Sequence, residues 1–319
     1  MHELNQVIIT RAPTRIDFGG GWTDVPPYCD REGGFVCNLA ISRYATATVS
    51  VGTHEGRSHE DPRSDGRLID AAIRRYGPAG ASVTVESYFP VGSGLGGSSA
   101  ASAAILGALA AARNEQWDRD RIAEDGRVIE VNDLGVAGGR QDHYASAYGG
   151  ALGLTFTTGV GVRRIALADV TVAALERRLM LIYTGESRVS GDTITAVLDA
   201  YAHREPRVVL SLRRMKELAG QMAVALERGD IDTLGALVAE HWTHQRALHP
   251  AIPTPLIDEI VAQAFSRGAL GAKALGASGG GTVLVIAGDD NVDRVRGAVE
   301  PLGAQLAFQV DRTGLTRLQ

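Results

Sequence analysis

The chain has 319 residues, 45% hydrophobic and 22% charged, a composition suited to a soluble globular protein long enough for two domains of ordinary size. A formal charge of -5 leaves no broad basic surface for a nucleic acid backbone, although it does not constrain a single pocket. The 2 cysteines, Cys29 and Cys37, have neither Cys-x-x-Cys spacing nor a histidine cluster beside them, which excludes a zinc site and suggests reduced thiols in a cytoplasmic protein.

In chain order, MHELNQVIITRAP carries charged and polar residues where a secretion signal needs an apolar core. Residues 7–10 are a β-branched run that enters RAPTRIDFGGGWTD, where the glycines at 19–21 interrupt any regular element, so strand, tight turn and strand are expected. Residues 45–51 and 82–86 read as strands, and the polar stretch 52–66 as a surface loop. The alanine-rich stretch 99–114 reads as a buried helix too short to cross a membrane, and 119–133 has helical spacing. GGALGL and a β-like run to Arg164 close a first domain, set at 1–172, with a second at 173–319. In the second, 179–183 and 282–287 are expected as buried strands and 305–310 as a final strand. Helices are expected over 190–227, 230–248, 256–267 and 292–301. Strands and helices alternate without the even repeat of a doubly wound sheet, which predicts two α+β domains.

Three glycine-rich segments carry the chemistry. PVGSGLGGSSAA lies between a predicted strand and a predicted helix, so its amides and the helix N-terminus would point at one place, an anion site. Gly92, Gly94, Gly96 and Gly97 let backbone approach phosphate oxygens, with Ser93 and Leu95 between them, and Ser98 and Ser99 offer hydroxyls. It lacks the Lys-Ser/Thr ending of a Walker loop, and taken alone it is equally a turn that caps a buried helix. RAPTRIDFGGGWTDVPPY sets Arg15 and Asp24 either side of a glycine turn with Asp17 between them; a carboxylate can bind a polyol and an arginine can stabilise a phosphoryl group, while a solvated turn with a salt bridge is the plainer alternative. KALGASGGGTVLVI is a third glycine turn before a buried strand.

Together these segments resemble the GHMP kinases, the family of galactokinases, homoserine kinases, mevalonate kinases and phosphomevalonate kinases. RIDFGGGWTDVPPYCDREGGFVCNLAI, GGRQDHYASAYGG, YTGESR and LGAKALGASGGG look most like its L-fucokinase and D-glycero-D-manno-heptose 7-phosphate kinase branch. The resemblance implies the two-domain fold of that family, an N-terminal half like domain 2 of ribosomal protein S5 and a ferredoxin-like C-terminal half. It implies ATP and Mg²⁺ as cofactors, and phosphorylation of a hydroxyl, the anomeric one in the nearest branch. Heptose 7-phosphate is the first acceptor it suggests, L-fucose the second and a cyclitol phosphate the third. No membrane or nucleic acid partner is implied, and the oligomeric state is open.

Residue by residue, the resemblance puts Ser98 and Glu130 at the metal and Gly92 to Ser99 around the phosphates. Gly97 is a departure that removes one hydroxyl from the loop. Asp142 matches the catalytic aspartate, Arg15 a positive charge that aids the transfer, and Asp24 the sugar-binding aspartate. Thr23, Gly138, Gly139, Gly279 and Gly280 belong to the matching substrate-side segments. Trp22 is read as stacking on a sugar face or as packing, and Arg188 as gripping the substrate or as a plain surface arginine. His143 is read as structural or substrate-side, and His241, His244 and His249 as a solvated helix face. A non-catalytic binding protein on the same fold is the other class, and the joint presence of Ser98, Glu130, Asp142 and Arg15 argues against it.

Overall fold

The computed structural model describes residues 6–52, 66–186 and 191–319. Among these, the strands form a six-stranded and a four-stranded sheet. Strand β1 (Gln6–Gly19) runs through RAPTRIDFG, further than the glycine cluster suggested, because β2 (Gly34–Val51) is long enough to pair with it as far as Cys37. The turn that follows leads into a short helix, α1 (Tyr28–Glu32), not directly into a strand. Helix α2 (Gly66–Tyr76) precedes β3 (Ala81–Ser87), which pairs with β2; residues 53–65 of the expected loop lie outside the described residues. Helices α3 (Gly97–Ala112) and α4 (Arg119–Val128), a single π turn (Ile129–Asp133) and α5 (Gln141–Tyr148) come next. The hairpin β4 (Ala151–Phe156) and β5 (Val160–Ile165) completes that part of the large sheet.

Helix α6 (Asp169–Arg178) leads into β6 (Leu179–Tyr183) of the small sheet. The helix expected over 190–227 is two, α7 (Gly191–Ala202) and α8 (Pro206–Arg228). Arg204 takes a positive φ of 58°, and Pro206 opens the next helix in its first turn, where its missing N–H costs nothing. After α9 (Ile231–Ala247) and α10 (Pro255–Ser266), β7 (Ala269–Ala274) escaped the sequence pattern because ALGAKA lacks the β-branched and aromatic residues of an ordinary strand. Strand β8 (Thr282–Ala287) and helix α11 (Val292–Val299) form as expected. The final strand expected over 305–310 is not formed. Only β9 (Ala304–Gln305) pairs there, Val310 makes an isolated bridge to Ile41, and the chain ends with β10 (Thr316–Arg317) on β1.

Helix α3 is apolar nearly all round, as a helix enclosed on every side must be, and packs against β1 and β2 with α2, α4 and α5 over it. A second core joins Ile16, Phe18 and Leu39 of the large sheet to Ala219 and Met222 of α8 and Val238 of α9. The two halves therefore share an interior, and the site lies where they meet.

Candidate active site

The site begins with a change of face in β1. Ile8 and Ala12 belong to the core around α3, and the Thr10 hydroxyl donates to Ala104 O at 2.6 Å. The pairing with β2 is irregular between Pro13 and Thr14, and beyond it Ile16 and Phe18 turn to the core shared with α8 and α9. Strand residues alternate sides, so Arg15 and Asp17 are left on a cavity of about 480 Å³.

The glycine loop forms another wall. No side chain caps α3, whose N-cap is Gly96, so its first amides remain available to an anion. Gly96 has φ of 76°, and a Cβ there would lie 3.0 Å from the Asp142 carboxyl carbon, so only glycine lets the loop approach the aspartate this closely. Ser98 is exposed on the cavity and Ser99 is buried behind it. Ser93 also lines the cavity, whereas Leu95 points into the core and its carbonyl accepts from Arg15 N.

Asp142 is in the first turn of α5, and Arg15 holds it in a fork. Nε donates to Oδ1 at 2.7 Å, Nη2 to Oδ2 at 2.8 Å, and Nη1 to Gly94 O at 2.6 Å. Burial disfavours the Arg15 cation, yet Asp142, Asp17 and Asp24 together hold its pKa above the ordinary value. The Asp142 side chain keeps 26% exposure and so stays open to the cavity.

Asp24 is buried at the mouth of α5, where Oδ2 accepts from the amides of Arg140 at 2.8 Å and Gln141 at 3.0 Å. Burial pushes its carboxyl up to about 6 against the pull of the Gln141 amide, and the charges of Asp142 and Asp17 add to the rise. Gly138 and Gly139 lie beside it on the cavity, as does Trp22, buried to 7% with φ of 79°. Thr23 does not line the cavity; its hydroxyl donates to Gly20 O at 2.6 Å and accepts from Phe35 N, which closes the turn.

Glu130 sits on the π turn and lines the cavity near Ser98. His143 Nε2 is 2.8 Å from Glu130 Oε2 and 3.4 Å from Ser99 Oγ. Burial would raise the Glu130 pKa, but His143 and the Ser98 and Ser99 hydroxyls outweigh it and hold the carboxyl below its usual value.

The sequence reading missed Lys273. Its fully buried ammonium, carried by β7, donates to Asp17 O at 3.0 Å and lies 3.3 Å from Asp17 Oδ2, fixing the end of β1 from the far half of the chain. The expectation of a solvated face for the histidines of α9 is also corrected at His241. That ring is fully buried, and its Nε2 accepts from Gly20 N at 3.0 Å. The third glycine turn reaches the cavity through Gly276 and Ala277; Gly279 and Gly280 lie behind it, Gly279 N donating to Ile252 O. Arg188 lies outside the described residues.

A glycine loop at an uncapped helix N-terminus and an arginine-held aspartate thus line one cavity. The chain matches the profile of the GHMP kinases N terminal domain over residues 66–150 and of the GHMP kinases C terminal over 222–303. It belongs to the GHMP kinase family and has that family's fold of N- and C-terminal domains.

Among its curated relatives, a D-glycero-alpha-D-manno-heptose 7-phosphate kinase of Campylobacter jejuni is 28% identical, over 86% of this chain and 88% of the relative. A bifunctional fucokinase/GDP-fucose pyrophosphorylase of Arabidopsis thaliana is 28% identical over 87% of this chain, which spans 29% of that larger protein. An L-fucokinase/L-fucose-1-P guanylyltransferase of Bacteroides fragilis is 27% identical over 89% of this chain and 35% of its own length. Of solved structures, a D-glycero-D-manno-heptose 1-phosphate kinase of Bacteroides thetaiotaomicron superposes with a TM-score of 0.77 over 98% of this chain and 99% of the other at 24% identity. At that identity it speaks for the fold.

Proposed function

We propose that this protein is an ATP- and Mg²⁺-dependent sugar kinase that phosphorylates the anomeric hydroxyl of a sugar or sugar phosphate, with D-glycero-D-manno-heptose 7-phosphate as its first acceptor. The observation that carries the reading is the Arg15–Asp142 fork, set against the uncapped start of α3 in one cavity.

Leu68, Ile69, Val85, Phe89 and Ile105 make one end of the cavity apolar, which suits a purine ring. From there the amides at the start of α3 receive the phosphates. Ser98 and Glu130 offer hard oxygen donors on the same wall, a set that fits Mg²⁺ carried in by a nucleotide, and these are the residues that would hold it. When bound, the cation neutralises charge on the phosphate oxygens.

The Arg15 fork orients Asp142, which accepts the proton of the attacking hydroxyl as transfer proceeds, while Arg15 offsets the charge that develops. Asp24 and Trp22 stand at the acceptor end.

One observation favours L-fucose as the second reading. Among the described residues lining the cavity Arg15 is the only cation, and it is already paired with Asp142, whereas a phosphorylated acceptor gains from a cation of its own. ADP release with Mg²⁺ and ATP over heptose 7-phosphate, fucose, galactose, mannose and cyclitol acceptors tests both readings. Turnover is expected with a sugar or sugar phosphate. ATP binding without ADP release from any acceptor would return the protein to the non-catalytic class. Asp142→Asn is expected to keep nucleotide affinity and lose about 10²- to 10⁴-fold in kcat; a loss of only a few-fold removes the proton-accepting role.

A further inference from the structure

Helix α5 delivers two consecutive side chains to two different partners. Asp142 goes to Arg15, and His143 turns the other way to Glu130. The His143 ring is 1% exposed and Glu130 13%, so the contact is largely shielded from water while Glu130 keeps an opening to the cavity. A carboxylate can only accept, so at 2.8 Å the hydrogen lies on His143 Nε2. Ser99 Oγ, 3.4 Å from the same nitrogen, flanks the contact. His143 Nδ1 is buried without a hydrogen-bond partner among the described residues and packs beside Gly126 and Ser102, which places the polar work of the ring at Nε2. Glu130 itself stands on a π turn, where Leu134 N donates to Ile129 O at 3.1 Å, five residues back instead of four, a local irregularity of the kind that often marks a functional site.

We propose that His143 is a positioning residue that holds the Glu130 carboxylate at one oxygen and leaves the other set for the divalent cation of the nucleotide. This inference rests on the kinase reading above. It assigns His143 no proton transfer and no contact with substrate. A ligand carboxylate anchored by a second residue loses little rotational freedom when the cation arrives, and loss of such anchors elsewhere costs tenfold to a hundredfold in metal affinity.

The test is binding, not turnover. Half-saturating Mn²⁺ is read by electron paramagnetic resonance of the free ion with a non-hydrolysable ATP analogue present, and analogue affinity is read separately in EDTA. His143→Leu is expected to raise half-saturating Mn²⁺ by about tenfold to a hundredfold while leaving analogue affinity in EDTA within about twofold. His143→Gln, whose amide can reach where Nε2 stands, is expected within about threefold of the wild type, and His143→Asn, too short to reach, to resemble the leucine variant. If the leucine variant fails to fold, the contrast between glutamine and asparagine decides. Equal Mn²⁺ affinity in wild type and leucine variant, or equal loss in glutamine and asparagine, overturns the proposal and leaves the kinase reading standing. A wild type that binds the analogue equally with and without Mn²⁺ overturns both.

Discussion

Arg15 touches β1, the glycine loop and α5 at once, through its own strand, Gly94 O and both oxygens of Asp142. A lysine there keeps the charge but cannot make three directed contacts, so Arg15→Lys is expected to lower kcat by about 10²-fold, with a smaller change in KM for ATP, in steady-state assays. Lys273 acts differently, since it is fully buried and its burial lowers its pKa even beside Asp17. Lys273→Met takes the directly paired cation from the buried Asp17 carboxylate and is expected to cost about 3–5 kcal/mol in urea unfolding. Asp17→Asn added to it is expected to restore part of that loss, because the carboxylate that lost its paired cation is then gone. Asp24 gives the pH dependence. Its carboxyl titrates at about 6 in the fold against an ordinary 3.8, so the fold favours the protonated form. The stability this gives is present at about pH 4 and is lost as pH rises through about 6. Relative to wild type, Asp24→Asn is therefore expected to gain up to about 3 kcal/mol of unfolding free energy between pH 4 and pH 7.

At the scale of elements, the departure at Gly97 has a physical reason. A Cβ there would lie 2.2 Å from the Phe89 ring, so the hydroxyl missing from the loop is the space that Phe89 fills. Gly97→Ser is expected to raise KM for ATP about tenfold by displacing that ring, and Phe89→Leu in the same chain to recover most of the loss in steady-state assays. The glycine segments were legible because close approach and positive φ restrict sequence at each turn, and short buried strands such as β6 and β8 were legible as apolar runs. Helix α5 was not, because its 8 residues lie between glycine pairs, Gly138 and Gly139 before and Gly149 and Gly150 after, that read as loop. Nor could the pattern pair Lys273 with Asp17, 256 positions away, or seat His241 against Gly20, since nothing local in α9 tells a helix covered on several sides from a surface one. The π turn was read as ordinary helix for a similar reason: its apolar spacing continues that of α4, and only the hydrogen bonding changes.

Across the whole molecule, the glycine turn at Gly20, proposed above to lead into the acceptor end, is held by a histidine from the other half of the chain. His241→Leu removes the acceptor for Gly20 N and is expected to raise KM for the sugar several-fold with KM for ATP unchanged, which separates a displaced turn from general unfolding. Equal change in both constants would argue for a global effect instead. The continuity of this cavity also has a use in inhibitor chemistry. Its apolar end beside Phe89 and its carboxylate end beside Asp24 belong to one continuous space of about 480 Å³. An adenosine joined through an oligophosphate to a polyol would occupy both ends at once, and each end would then meet its ligand at the millimolar effective concentration set by a short tether. Such a bisubstrate compound is a natural lead for selectivity, because it has to satisfy both ends of the groove and the distance between them.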